Sequence, residues 1–141
     1  MRLIQKAYEI AIGENGVQEF EGEANNPRII KYHSSCDSKF TSDSIPWCSA
    51  FANWCIQSAG GKGTRSAIAR SFLAWGNKIS KPHVGCIVVF ERGTDGISGH
   101  VGFFVKENAN SVFVLGGNQD NMVCIRALSK RKLLGYRTSK D

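Results

Sequence analysis

The chain has 141 residues, which is long enough for one domain with a sizeable hydrophobic core. Its 42% hydrophobic and 21% charged residues are typical of a globular protein, and neither a repeat nor a low-complexity segment is present. A net charge of +6 favours encounter with a polyanion such as nucleic acid, an anionic membrane surface or an acidic cell-wall polymer. Apolar runs are too short for a membrane span or a signal-peptide core. We therefore expect a protein made in the cytoplasm without a leader and not inserted into a membrane.

Helical signals occupy the first half of the sequence. Apolar residues recur with helical spacing from Leu3 to Ala11 and stop at Gly13, and Asn26-Pro27 is typical of the start of a short helix. A third helix is predicted from Trp47 to the glycine pair at 60–61, and a fourth that is capped by Thr64 or Ser66 and ends at Gly76. The segment from 34 to 45 has the composition of a loop.

From Pro82 onward the periodicity changes to that of extended chain. Five short strands are predicted, separated by turn-forming residues: Cys86–Phe90, Val101–Val105, Val112–Leu115, Met122–Ile125 and Leu133–Tyr136. The connections are too short for crossover helices, so the sheet should be mostly antiparallel. Helices followed by such a sheet indicate an α+β fold in a single domain over residues 1–141.

Cys48 is the first candidate for a catalytic nucleophile. It lies in the first turn of the third predicted helix, where unpaired backbone N–H groups and the helix dipole favour a thiolate. By itself this position is equally compatible with a small buried core residue. Cys55, Cys86 and Cys124 have apolar surroundings and are interpreted as core, and Cys36 lies in a polar loop with no assigned role.

A catalytic thiol requires a base, and His100 is the best placed of three histidines. It begins a predicted strand just after the turn-forming stretch 96–99, so its side chain can stand at the rim of the sheet. The imidazole in turn needs an acceptor that fixes its tautomer. Asn118 can supply one, because it follows the strand that ends in Gly116-Gly117, with Gln119 and Asp120 as competitors. Cys48, His100 and Asn118 are therefore the predicted catalytic set.

These residues and their order resemble the papain-like peptidoglycan hydrolases of the CHAP and NlpC/P60 group, especially their small phage- and prophage-associated branch. The resemblance runs nearly end to end through Pro46-Trp47-Cys48-Ser49, Gly99-His100-Val101-Gly102 and Leu115-Gly116-Gly117-Asn118-Gln119. Two departures are that Gly85-Cys86 stands where these enzymes usually carry Gly-Asp, and that Gly116 stands where many CHAP domains carry glutamate.

The resemblance implies a papain-like fold and acyl transfer to water at an amide bond of a peptidoglycan stem peptide. Cys48 would be the nucleophile, His100 the general base and Asn118 the orienting residue, with no metal or other cofactor. The oxyanion would be held by the Cys48 backbone N–H and by a donor from the preceding loop, for which Ser42 is a weak candidate; both Ser42 and Asp43 are more typical of solvated loop. The enzyme would be an endopeptidase or an N-acetylmuramoyl-L-alanine amidase, and a monomer.

Other interpretations remain. His33 with Cys36 and His83 with Cys86 form two His-x-x-Cys pairs that could supply a zinc site, although the spacing is unusual and Cys86 opens a buried strand. A nucleic-acid binder is disfavoured, since aromatic residues do not interleave with the basic ones. A phage or prophage endolysin is the favoured setting. The alternatives are an antibacterial amidase delivered by a secretion system and a non-catalytic wall-binding module.

Overall fold

The helices precede the sheet, as the sequence predicts. The computed structural model describes residues 1–21, 24–38 and 46–141, and in these ranges the helices are α1 (Leu3–Gly13), α2 (Pro27–His33) and α3 (Cys48–Ser58). The start of α2 is capped as expected, because the Asn26 side chain accepts a hydrogen bond of 2.9 Å from the Arg28 backbone N–H. No helix among the described residues is long and apolar enough to cross a bilayer.

The strands form one antiparallel sheet. They are β1 (Asn77–Ile79), β2 (Ile87–Glu91), β3 (Gly99–Glu107), β4 (Ser111–Gln119), β5 (Met122–Ser129) and β6 (Leu133–Thr138). The spatial order is β1-β6-β2-β3-β4-β5, and every neighbouring pair is antiparallel. The α+β prediction is therefore confirmed. The described sheet has one strand more than predicted, because the three-residue β1 pairs with β6 although it carries no apolar alternation.

The fourth predicted helix is instead a 3₁₀ helix, Ala69–Ala74. Two side-chain hydrogen bonds tie it to other parts of the chain, from Arg70 Nε to the Ser98 carbonyl (2.9 Å) and from Ser71 Oγ to Thr64 Oγ1 (2.8 Å). These tertiary contacts, rather than helix propensity, set its conformation. The segment matters for the site because Ser98 lies two residues before His100.

The core lies between the helices and one face of the sheet. Alternate residues of β2 and β3, including Ile87, Val89, Val101 and Phe103, share one apolar cluster with residues of α1 and α3 and are fully buried. Burial of each such side chain contributes roughly 1.5–3 kcal/mol. The residues between them contribute to a second apolar cluster, in which Phe104 packs edge-on against Tyr136 at 6.0 Å between ring centroids. Packing on both faces fixes β3 in the middle of the molecule.

Candidate active site

Cys48 is the first residue of α3, as predicted, and its side chain is buried. The preceding Trp47 anchors the start of the helix, since its ring is buried and its Nε1–H donates to Glu19 Oε2 at 3.0 Å. At the first position of a helix, the backbone N–H groups have no intrahelical acceptor and point past the thiol. Cys48 forms no disulfide. The thiol is therefore buried at a position where negative charge is favoured.

His100 is the second residue of β3 and follows a tightly held hairpin turn. The Asp95 side chain accepts hydrogen bonds from the Ile97 and Ser98 backbone N–H groups and from the Ser98 hydroxyl, at 2.9, 2.7 and 2.6 Å. These bonds lower the pKa of Asp95 to about 2. Because Arg70 also holds the Ser98 carbonyl, the chain enters β3 in a fixed direction, and the His100 imidazole is 4% exposed.

Two glycines let the end of β4 approach the other elements. A Cβ at Gly117 would lie 2.7 Å from Phe51 Cβ and 2.8 Å from the Trp47 ring, so a side chain there would push β4 away from α3. A Cβ at Gly116 would lie 2.9 Å from Gln119 Oε1 and 3.4 Å from His100 Nε2. The absence of side chains at these two positions therefore lets α3, β3 and β4 come together.

The side chain at Nε2 of His100 is that of Gln119. Its Oε1 lies 2.8 Å from His100 Nε2, while its Nε2 donates to the Val114 carbonyl at 3.1 Å and to the Cys124 carbonyl at 2.7 Å. A flipped amide would place Oε1 against both carbonyls, so the orientation is fixed by the network. His100 must then carry a proton on Nε2. In the neutral imidazole this leaves Nδ1 as the basic nitrogen. Nδ1 is buried, and no described residue forms a hydrogen bond with it.

The Cys48 thiol and the His100 imidazole shift each other's titration in opposite directions. Burial raises the pKa of Cys48, but its interaction with His100, together with the Val101 backbone and the charge of Arg92, outweighs burial and lowers the pKa below its ordinary value. Burial lowers the pKa of His100, but Cys48 and then Gln119 outweigh it and raise the pKa. The pair therefore favours a thiolate beside an imidazolium.

The structure places Gln119, rather than Asn118, against the imidazole. The sequence predicts Asn118 as the residue that orients His100, but no hydrogen bond joins these two side chains in the described part of the chain, and its competitor Gln119 makes the contact. Asn118 has a backbone φ of 57° and lines the cleft beside His100. Asp120 is exposed and pairs with Arg126. A strand that kept its regular alternation would not have produced this arrangement.

The remaining sequence candidates contribute less. Ser42 and Asp43 lie outside the described residues. Cys55 and Cys86 are buried in the apolar core as predicted, Cys124 is half-buried, and Cys36 is buried rather than in an open loop. His83 lies at 3.0 Å from Thr138 Oγ1 and His33 is buried at the end of α2. Within residues 1–21, 24–38 and 46–141, no group of three or more potential ligands could hold a metal ion, so the zinc interpretation gains no support.

A cleft of about 350 Å³ opens beside His100 and Gln119. Its lining comes from the ends of β2, β3 and β4, from β5, and from the segment before β6. Arg92 also lines it, although sequence reasoning gave that residue no role. In the sequence, Arg92 is marked only by its position one residue after the end of β2, the strand that pairs with β3.

Comparison with known proteins identifies the family and the fold. A CHAP domain profile matches residues 40–118, which is more than half of the chain, and no curated protein sequence matches. The fold is similar to the P60 domain of the antigen MAP1204 from M. avium subspecies paratuberculosis, with a TM-score of 0.59 at 13% identity, covering 98% of this chain and 94% of that one.

Two further solved structures share the fold. RipD from Mycobacterium tuberculosis, a non-catalytic NlpC/p60 domain protein adapted to peptidoglycan binding, has a TM-score of 0.55 at 14% identity, covering 96% of this chain and 95% of RipD. A lipoprotein-like protein of the NLP/P60 family from Staphylococcus aureus has a TM-score of 0.57 at 17% identity; 99% of this chain matches 42% of that longer one. The fold is thus that of NlpC/P60 proteins, and the chain belongs to the CHAP domain family.

Proposed function

We propose that the protein is a cysteine-dependent hydrolase of an amide bond in bacterial peptidoglycan. The observation that carries this proposal is the buried thiol and imidazole pair, Cys48 and His100, whose mutual interaction lowers one pKa and raises the other. A purely structural cysteine in a core has its pKa raised by burial, as Cys55 does. Family membership directs the proposal towards the cell wall.

The first chemical step is attack by the Cys48 thiolate on the carbonyl carbon of the amide. The C–S bond forms, the carbonyl oxygen becomes an oxyanion, and the backbone N–H of Cys48 at the start of α3 is a donor for it. The protonated Nδ1 of His100 then gives its proton to the amide nitrogen, the C–N bond breaks, and an amine leaves. A thioester on Cys48 remains.

The second step returns the enzyme to its starting state. Neutral His100 accepts a proton at Nδ1 from a water molecule, and the resulting hydroxide attacks the thioester carbonyl. The C–S bond breaks, a carboxylic acid leaves, and the thiolate is restored beside the imidazolium. Gln119 keeps the proton on Nε2 throughout, so that Nδ1 is the nitrogen that takes and gives protons in both steps.

A wall-binding module without activity is the second candidate, because RipD shares the fold and is non-catalytic. The two candidates predict opposite results when purified peptidoglycan is incubated with the protein. Purified peptidoglycan is incubated with the wild type, with Cys48→Ala, and with Cys86→Ala as a matched cysteine control that lies in the second apolar cluster. Circular dichroism checks that each variant is folded. Released fragments are identified by mass spectrometry.

We expect new amine and carboxyl ends with the wild type and with Cys86→Ala, and none with Cys48→Ala. The masses also identify the bond, which distinguishes an endopeptidase from an N-acetylmuramoyl-L-alanine amidase. Equal release by Cys48→Ala would contradict the thiol mechanism. No release by any variant, together with sedimentation of the protein with peptidoglycan, would establish the binding module instead.

The biological setting that we propose is lysis by a phage or prophage endolysin that acts on the wall, as a monomer, after leaving the cytoplasm. A gene for a membrane pore beside the coding sequence would support this setting. An adjacent immunity gene, whose product blocks the activity in a mixing assay, would instead identify an antibacterial toxin delivered by a secretion system.

A further inference from the structure

The cleft beside His100 combines an apolar interior with a charged entrance. Phe90 is 2% exposed and Leu128 is half-buried, whereas the side chains of Arg92 and Lys132 are exposed. An ion that binds at such an entrance lies partly out of water, where charge-assisted hydrogen bonds are stronger than on an open surface. The cleft therefore has the character of a site for an amphipathic, charged group.

Arg92 and Lys132 emerge at the same end of the sheet. Arg92 follows the last residue of β2, Lys132 directly precedes β6, and these neighbouring antiparallel strands pair Phe90 with Leu133. Neither cation forms an ion pair with a described residue, whereas Arg126 of the same cleft is paired with Asp120. Glu91 is the remaining acid of the lining. The cleft therefore has two cations available to a ligand and one acid.

This cationic entrance lies close to His100. Phe90 is the register partner of His100, so Arg92 starts two residues, or roughly 7 Å, farther along the neighbouring strand. A group bound by Arg92 is then within about two residues of an amide at the imidazole. The charge of Arg92 also acts on the titration of both Cys48 and His100.

We propose that Arg92, assisted by Lys132, binds a free carboxylate of the stem peptide and so makes the protein selective for stem peptides that are not amidated at that position. This inference rests on the proposed function. A carboxylate fits because stem peptides carry their negative charge on carboxyl groups, and a guanidinium presents a planar pair of donors that matches them. A carboxamide at the same position offers only one acceptor and no charge.

The test uses synthetic muropeptides that differ only in a carboxylate or carboxamide beside the bond that is cut. The wild type should cleave the carboxylate form with a kcat/KM about 10-fold higher, the value of one charge-assisted hydrogen bond. Arg92→Gln should lower this ratio to about 3 or less, and Arg92→Gln with Lys132→Gln should bring it to about 1. The control is Arg131→Gln, which removes the same charge from an exposed neighbour that does not line the cleft, and which should keep the wild-type ratio.

A wild-type ratio of 1, or a ratio that the double variant retains, would overturn the inference while leaving the hydrolase intact. If neither peptide is cleaved by any variant, the proposed function fails. The inference is then tested by calorimetry, which measures the affinity of Cys48→Ala for the same two peptides. Tighter binding of the carboxylate form, lost with Arg92→Gln and Lys132→Gln, supports it. Inorganic phosphate that competes equally with both peptides would reveal an unspecific anion site and would overturn it.

Discussion

Replacing Gln119 by Leu tests the third member of the site. The Gln119 amide makes one hydrogen bond to His100 and two to backbone carbonyls, and its side chain is buried. Leucine has a similar volume but offers neither donor nor acceptor. The substitution therefore removes the constraint that keeps the His100 proton on Nε2, without opening a large cavity.

The size of the effect follows from the bonds that are lost. A hydrogen bond to a charged partner is worth about 1.5–3 kcal/mol, which corresponds to a loss of kcat/KM of roughly 10- to 150-fold if the bond acts in the transition state. Two further bonds, from the amide to the Val114 and Cys124 carbonyls, should lower the free energy of unfolding by about 2 kcal/mol in total. Activity must therefore be measured well below the unfolding transition.

The assay is the pH dependence of kcat/KM on a soluble muropeptide. Gln119 raises the pKa of His100, so its removal should shift the alkaline limb of the profile to lower pH. A merely structural loss would lower the whole profile without moving that limb. The matched variant is Asn118→Gly, which removes the neighbouring amide but permits the backbone φ of 57° at that position. We expect Asn118→Gly to keep activity within about threefold of the wild type.

Two results would refute this reasoning. If Asn118→Gly lost as much activity as Gln119→Leu, the sequence-based choice of Asn118 would be right and the observed contact incidental to catalysis. If Gln119→Leu kept nearly full activity and an unmoved alkaline limb, the imidazole would not need an acceptor on Nε2 at all.

Three other measurements follow from the structure. Alkylation of Cys48 by iodoacetamide should have a midpoint below the ordinary thiol pKa, and His100→Ala should move it upward because His100 is the main group that lowers the pKa; an unmoved midpoint would contradict the pairing. Glu14 accepts two bonds from Arg28, at 2.6 and 2.9 Å, which lower its pKa. The Glu14–Arg28 pair therefore stabilises the fold fully above the unfolded pKa of Glu14, near 4.5, and this stabilisation is lost as the pH falls through the lower folded pKa. Glu14→Gln should thus lower the free energy of unfolding at pH 7 but not in acid, as measured by urea unfolding. Asn53→Ala should lower the free energy of unfolding by about 2–3 kcal/mol, since this buried amide bonds several groups of the 64–66 loop; a loss under 1 kcal/mol would show that water replaces it.

The elements that bear Cys48 and His100 were accessible to sequence reasoning because both depend on local signals. The start of α3 is indicated by Pro46 and by the helical apolar spacing after it, and the start of β3 by the turn residues before His100. Each signal acts within a few residues of the side chain that it positions. The catalytic roles of the two residues stay predictions until the thiol is tested.

The third residue could not be found in the same way, because it depends on an irregularity of the sheet. The pairing of β4 with β5 shifts register between Gly116 and Gln119, and Asn118 takes a left-handed backbone conformation there. A regular strand alternates its side chains between two faces, so a shift of one residue changes which side chain points inward. Spacing alone therefore could not choose among positions 118, 119 and 120.

The same irregularity explains how, in the proposed mechanism, a neutral amide can serve in place of a carboxylate. A carboxylate at position 119 would stabilise the imidazolium more strongly, but it has no protons to donate and would face the Val114 and Cys124 carbonyls, each of which now receives an N–H from Gln119. The thiolate at Cys48 already supplies the negative charge that raises the pKa of His100. What the third residue must add is direction, and an amide anchored to β4 and β5 provides it through bonds that only the correct sheet register allows. In the proposed mechanism, orientation of the base thus depends directly on the pairing of the last strands, which links the geometry of the site to the stability of the sheet.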